Sequence, residues 1–285
     1  MPLFLSARSL APAMGLAETL EVFRLAAHRR IALPGIPALL CDPAVMRPLQ
    51  EAGCDLTVHH AFSDAPRANL AALDEDFRLR SIRLVEEVMT RAAELGVTRL
   101  SLMPGFALEE TLDQTRASRS VPRELALDAL MRSLDRLANV ADARGMSLAL
   151  TNSDMRHPAM LLGDADEISG MIQALQVPFL GVQADLGHAL ASARASGSGY
   201  EGAEALLAAI APHLTALRLH ETDRSGQDHR LPTESGWIEE LLGQHPEWRA
   251  LPMTLEARGV SLDRLLDTAD RLESLAPKPL LGPAR

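Results

Sequence analysis

Short apolar runs that read as strands alternate with amphipathic segments that read as helices from one end of the chain to the other, eight times over. The strand-like runs are Leu3-Phe4-Leu5, Ile31-Ala32-Leu33, Asp55 to His60, Arg99 to Met103, Ser147 to Leu150, Phe179 to Asp185, Thr215 to Leu219 and Met253-Thr254-Leu255. Helical patterns fall near residues 16–30, 43–52, 76–95, 122–144, 164–175, 200–210, 238–242 and 261–275. Gly96 and Gly145 close two of them, as a residue tolerant of left-handed backbone should, and Ser261 stands where a helix N-cap is expected. Strict alternation of this kind leaves one architecture, an α/β fold in which a single (β/α)8 TIM barrel spans residues 1–275. Residues 276–285 carry three prolines and read as a C-terminal tail.

Composition narrows the function classes. Apolar residues make up 47% and charged residues 23% of the 285, enough for a full core, while aromatics at 3% leave Leu, Ala, Val and Met to build it. A net charge of -10 argues against nucleic acid as a partner, because phosphate binding needs a basic surface. Two cysteines, Cys41 and Cys54, without CxxC spacing suggest a reduced, cytoplasmic protein. No run approaches a membrane span, and the GxSxG, GxGxxG and GxxxxGK motifs are absent.

The strand ends carry the chemistry. In a parallel barrel all strand C-termini open on one face. Asp185 ends the sixth run, His220 follows the seventh and Glu256 ends the eighth. Three oxygen and imidazole donors at consecutive strand ends suit one divalent ion per chain, Mn²⁺, Zn²⁺, Co²⁺ or Mg²⁺. His188 lies three residues beyond Asp185 and can reach the same pocket. The polar loop after the seventh run brings Asp223, His229 and Arg230, and Arg258 follows Glu256. Loops on that face are expected to touch substrate, and Arg230 or Arg258 to meet an anionic group. At the third strand end, alternation allows only one of His59 and His60 into the mouth. The bland alternatives are an Asp that merely caps a helix, a Glu paired with Arg258, and solvated loop histidines.

The segments Val58-His59-His60-Ala61-Phe62, Met103-Pro104-Gly105, Leu148-Ala149-Leu150-Thr151-Asn152, Asp185-Leu186-Gly187-His188, His220-Glu221-Thr222-Asp223 and Leu255-Glu256 together resemble the sugar phosphate isomerase/epimerase superfamily. These are the xylose isomerase-like barrels that include apurinic-site endonucleases. The resemblance implies a divalent-metal-dependent isomerase or epimerase acting on a small sugar, polyol or hydroxy-carbonyl compound. It carries the metal to Asp185, His220 and Glu256, an acid/base role to Glu256 and a substrate-facing role to His188, His60 and Asp223. A homodimer is expected on the same ground. Two positions depart. Met103 stands where endonuclease-type members carry His, and Thr151 stands where a strand-five Glu is expected. Asp154 or His157 would be placed to fill the latter gap. The loss of one carboxylate favours one-base chemistry, isomerisation or a dehydratase/lyase variant. The alternatives are a metal-dependent hydrolase and a degenerate, non-catalytic ligand-binding barrel.

Overall fold

The structure, a computed structural model, describes residues 2–10, 13–59, 68–109, 119–223 and 225–275. In chain order the elements are β1 (Leu3–Ser6), α1 (Leu16–Leu25), β2 (Arg30–Pro34), α2 (Pro37–Leu40), α3 (Pro43–Glu51), β3 (Asp55–His59), α4 (Glu75–Glu94), β4 (Arg99–Leu102), β5 (Leu108–Glu109), β6 (Arg119–Ser120), α5 (Arg123–Asp142), β7 (Ser147–Thr151), α6 (Ala165–Leu175), β8 (Leu180–Asp185), α7 (Leu186–Ala195), α8 (Gly199–Ile210), β9 (Leu214–Leu219), α9 (Trp237–Gln244), β10 (Met253–Leu255) and α10 (Leu262–Ser274). Eight of these strands close a parallel barrel in the order β1-β10-β9-β8-β7-β4-β3-β2. The seam joins the first strand to the last, Leu3 to Met253 and Leu5 to Leu255. The barrel is the expected one, with three additions the periodicity did not separate: the short α2, the small β5–β6 hairpin, and α7 directly after Asp185. The segment 276–285 and residue His60 lie outside the described residues.

Alternation along each strand sorts two sets of side chains. Val58, Leu102, Leu148, Leu150, Val182, Leu217, Leu219 and Leu255 are buried in the apolar layer shared with Ile82, Val85, Leu130, Leu134, Ile168 and Leu265 of the outer helices. The other parity is largely polar. Thr57, Ser101, Gln183 and Thr254 line a small cavity with Phe4 and Ala149 at one end of the barrel. Ser6, His59, Asp185, Arg218 and Glu256 share this parity at the opposite end, each on its own strand or one residue past it. Helix starts are fixed by side-chain caps: Asp74 accepts from the amide of Phe77 at 2.8 Å, Asp164 from Glu167 at 2.9 Å and Asp185 from His188 at 2.9 Å. Both thiols are free, Cys41 at the surface and Cys54 half-buried. Among the described residues, no helix is long and apolar enough to cross a membrane.

Candidate active site

The C-terminal strand ends gather a network of ionisable groups. Asp185 and Arg218 are register partners on β8 and β9, and the Arg218 Nη1 lies 3.3 Å from Asp185 Oδ2. The same guanidinium places Nη2 2.6 Å from Glu256 Oε2, so Arg218 stands between the two carboxylates. Ser6 donates to that Glu256 oxygen at 3.2 Å, and His59 Nδ1 lies 3.2 Å from it. The second oxygen, Oε1, faces His229 Nδ1 and Arg258 Nη2, both at 3.5 Å. Glu256 is thereby anchored through one oxygen and turned outward with the other.

A second group sits above this floor. His220, fully buried, has Nε2 2.8 Å from Asp185 Oδ1 and Nδ1 3.0 Å from Asp228 Oδ1. Neither nitrogen meets its neighbour in the direction of a hydrogen bond. His188 reaches Asp185 and Asp228, each at 3.4 Å, and the His220 and His229 rings lie 4.3 Å apart. One donor atom from each of His188, His220, Asp228 and His229 falls within 4.8 Å of all the others. This is the group of described residues that can share an ion. Imidazole nitrogens and a carboxylate converging at this spacing are a donor set that suits a cation. His220 therefore belongs both to the expected trio and to the observed cluster. Asp185 and Glu256 are not members of the cluster: Glu256 is held by Arg218 at 2.6 Å, and Asp185 lies against His220 at 2.8 Å, with His188 and Arg218 farther off.

The protonation pattern follows from these neighbours. Burial works against a charged His220, yet Asp185 and Asp228 outweigh it and push the imidazole up to about 9. Burial also opposes ionisation of Asp185, but His188, His220 and Arg218 hold it well below the usual carboxylate range. Asp228 is lowered in the same way by its contacts with His188 and His220. His59 is pushed down to about 3, chiefly by burial, and so is His229, where the charge of His220 adds to burial.

The site opens into a cavity of about 460 Å³ lined by Arg8, Met103, His157, His188, Arg218, Asp228, His229 and Arg258, among others. His188, His229 and Arg258 thus share one cavity. Asp223 and Arg230 do not: with Arg258 they line a neighbouring cavity of about 520 Å³. Asp223 also organises its own loop, accepting from the amides of Ser225 at 2.9 Å and Gln227 at 3.0 Å. Asp154 faces the first cavity but is gripped by Arg156, whose Nε donates to Oδ2 at 2.7 Å. Asp185 is a helix cap as well as a pocket residue, so the bland and functional readings of that residue both apply.

Three participants, Arg218, Asp228 and Ser6, lay outside the expected site, and His59 was left open as the alternative to His60. Arg218 was legible in principle, because a charge two residues before His220 on a strand must share its face. His59 could be found the same way by testing parity against the buried Val58. Asp228 depends on how its loop folds back, and Ser6 on barrel closure; neither leaves a local pattern.

The profile of the xylose isomerase-like TIM barrel family matches residues 32–270 of this chain. No curated protein matches at the level of sequence. Solved structures share the fold. A D-tagatose 3-epimerase-like protein superposes with a TM-score of 0.69 at 17% identity, covering 96% of this chain and 97% of the other. D-psicose 3-epimerase from Clostridium cellulolyticum, solved with D-tagatose, gives 0.70 at 14%, covering 97% and 98%. An AP endonuclease of family 2 from Brucella melitensis gives 0.65 at 15%, covering 90% and 93%. At these identities the structures speak for the fold alone, while the match to the family profile is broader: the chain belongs to the family of xylose isomerase-like TIM barrels.

Proposed function

We propose that this chain is an isomerase-class enzyme that moves a proton beside the carbonyl of a small sugar, polyol-derived or other hydroxy-carbonyl compound. The sugar epimerases that share its fold support this class of substrate. The observation that carries the reading is the placement of a buried carboxylate, Glu256, held through one oxygen directly beneath a three-imidazole, one-carboxylate cluster at the mouth of the barrel.

A divalent ion fits His188, His220, Asp228 and His229 by donor chemistry and spacing, and when bound it would polarise the carbonyl and hydroxyl oxygens of the substrate. Asp185 orients His220 from behind, as a carboxylate commonly does for a ligating imidazole. Glu256 takes the proton from carbon. Its Oε2 is fixed by Arg218 and Ser6, so the outward Oε1 is the oxygen that receives it. Arg258, half exposed at the rim, meets an anionic substituent of the substrate. Thr151 offers no second base, so the proton returns from Glu256 on the same face to the adjacent carbon, a one-base isomerisation.

The test is deuterium exchange. A panel of aldoses, ketoses and sugar acids is incubated in D₂O with the protein and Mn²⁺, Zn²⁺, Co²⁺ or Mg²⁺, and followed by proton NMR. Carbon-bound deuterium is expected in at least one compound, falling about 10²–10⁴-fold in Glu256→Gln. No exchange with any compound and any ion overturns the proposal. Independently, His188→Ala and Asp228→Asn are each expected to abolish uptake of one ion per chain.

A further inference from the structure

We propose that Arg218 is a catalytic residue: its guanidinium takes the place an ion would hold between Asp185 and Glu256, and it receives the substrate oxygen that gains charge when Glu256 removes the neighbouring proton. The proposal deepens the isomerase reading of this site and rests on it for the chemical step, but its structural half can be tested alone.

Three observations converge. Arg218 is 1% exposed, yet it lines the cavity that opens on the His188 and His229 rings. Its Nη2 is committed to Glu256 at 2.6 Å, whereas among the described residues Nε and Nη1 make no hydrogen bond, Nη1 having only the off-direction approach to Asp185 at 3.3 Å. A buried guanidinium with donors unspent beside a cavity is built to take an oxygen from a ligand, since leaving those donors unmet is costly. The charge count agrees. Asp185 and Glu256 are two buried carboxylates, and the strand-five position that would add a third is Thr151, with its hydroxyl buried and without a hydrogen-bond partner among the described residues. An ion sharing these carboxylates would lie against a guanidinium of the same sign. With a neutral Thr151, one fixed cation suffices.

The step balances without a further reactant. The C–H bond breaks, its proton goes to Glu256 Oε1, and its electron pair forms the carbon–carbon double bond as the carbonyl pair moves onto oxygen. Arg218 keeps its own protons at any working pH, so it acts by donating hydrogen bonds to that oxyanion and not as an acid. Return of the proton from Glu256 to the adjacent, former carbonyl carbon makes the neighbouring oxygen the new carbonyl, its hydroxyl proton passing to the oxyanion on Arg218, so every proton and electron pair is accounted for.

The experiment counts ions. Chelator-treated, desalted protein is dialysed against Mn²⁺ and the bound metal measured per chain. Glu256→Gln is expected to take up as much Mn²⁺ as wild type, because the wild-type ion does not use Glu256. Arg218→Met is expected to bind one Mn²⁺ more than wild type and to gain more in melting temperature on adding Mn²⁺, while Arg218→Lys gains no ion. A loss of Mn²⁺ affinity above about tenfold in Glu256→Gln, or a folded Arg218→Met with no added ion, overturns the proposal; tenfold here is about 1.4 kcal/mol. If Arg218→Met does not fold even in Mn²⁺, Arg218→Lys decides the catalytic half: deuterium exchange is expected to fall about 10²–10³-fold in kcat with little change in KM. An unchanged kcat overturns it. Because the Mn²⁺ counts need no substrate, they stand even if every compound in the exchange panel fails.

Discussion

At the residue scale, Gly187 reports how closely this mouth is packed. A Cβ on Gly187 would lie 2.1 Å from the His220 ring, so Gly187→Ala must displace either α7 or the imidazole. The expected outcome is loss of ion uptake together with a destabilisation of about 1–3 kcal/mol, read by metal analysis and urea unfolding. His59 gives a prediction in pH. Its folded pKa is about 3, below the ordinary 6.5, so the unfolded chain takes up a proton that the folded chain refuses. The contribution of this group is therefore complete above about pH 6.5 and is lost as pH falls toward 3. Between pH 7.5 and 5 the wild type should lose more unfolding free energy than His59→Asn; equal slopes would show that His59 is not the group responsible. The strand-end donors Asp185, His220 and Glu256 were visible in the sequence because each follows an apolar run. Arg218 was passed over because its neighbours Leu217 and Leu219 make the run look uniformly apolar, although its parity is that of His220.

At the scale of elements, the strand-five end is stitched to the strand-six end by one side chain. Asn152 accepts from the amide of Asp185 at 2.6 Å and donates to the carbonyl of the same residue at 3.1 Å, both buried. Asn152→Ala leaves that amide and carbonyl unmet, and a cost of about 2–4 kcal/mol in urea unfolding is expected from two buried groups at 1–3 each, partly relieved by water. A cost below 0.5 kcal/mol would show that the clamp is dispensable. Element type was readable here from periodicity, and β10 falls on the three residues expected. The helix of residues 186–195 was not separated, because six buried residues among ten give it little amphipathic contrast. The expected first helix ran to Arg30, whereas it stops at Leu25: Ala27 adopts a left-handed φ of 58°, and Arg30 already belongs to β2. Lengths of exposed polar segments are set by such single backbone choices, which hydrophobic patterning does not record.

At the scale of the molecule, closure depends on residues more than two hundred positions apart. β1 pairs with β10 and β2, and Ser6 at its end touches both His59 and Glu256. Removing residues 2–6 would open the barrel and strip the floor of the site at once. The expected result is loss of cooperative unfolding by circular dichroism, together with loss of ion uptake; a cooperative truncated chain would contradict it. Trp237 and Trp248 are buried in the last quarter of the sequence, so in the intact chain their fluorescence should change with the same urea midpoint as the far-ultraviolet signal. Eightfold alternation made the global architecture the most legible property of this chain. The placement of Asp228 beside His188 was the least, because it is decided by a loop that folds back across the mouth.

One carboxylate carries a consequence beyond the chemistry. Asp185 Oδ1 both receives the His188 amide in the opening turn of α7 and faces His220. Whatever alters the charge on that imidazole, a proton lost or an ion gained, pulls on the oxygen that starts the helix. Occupancy of the mouth should thus be audible along α7 as a change in hydrogen–deuterium protection of its opening turn, giving a reporter that works before any substrate has been found.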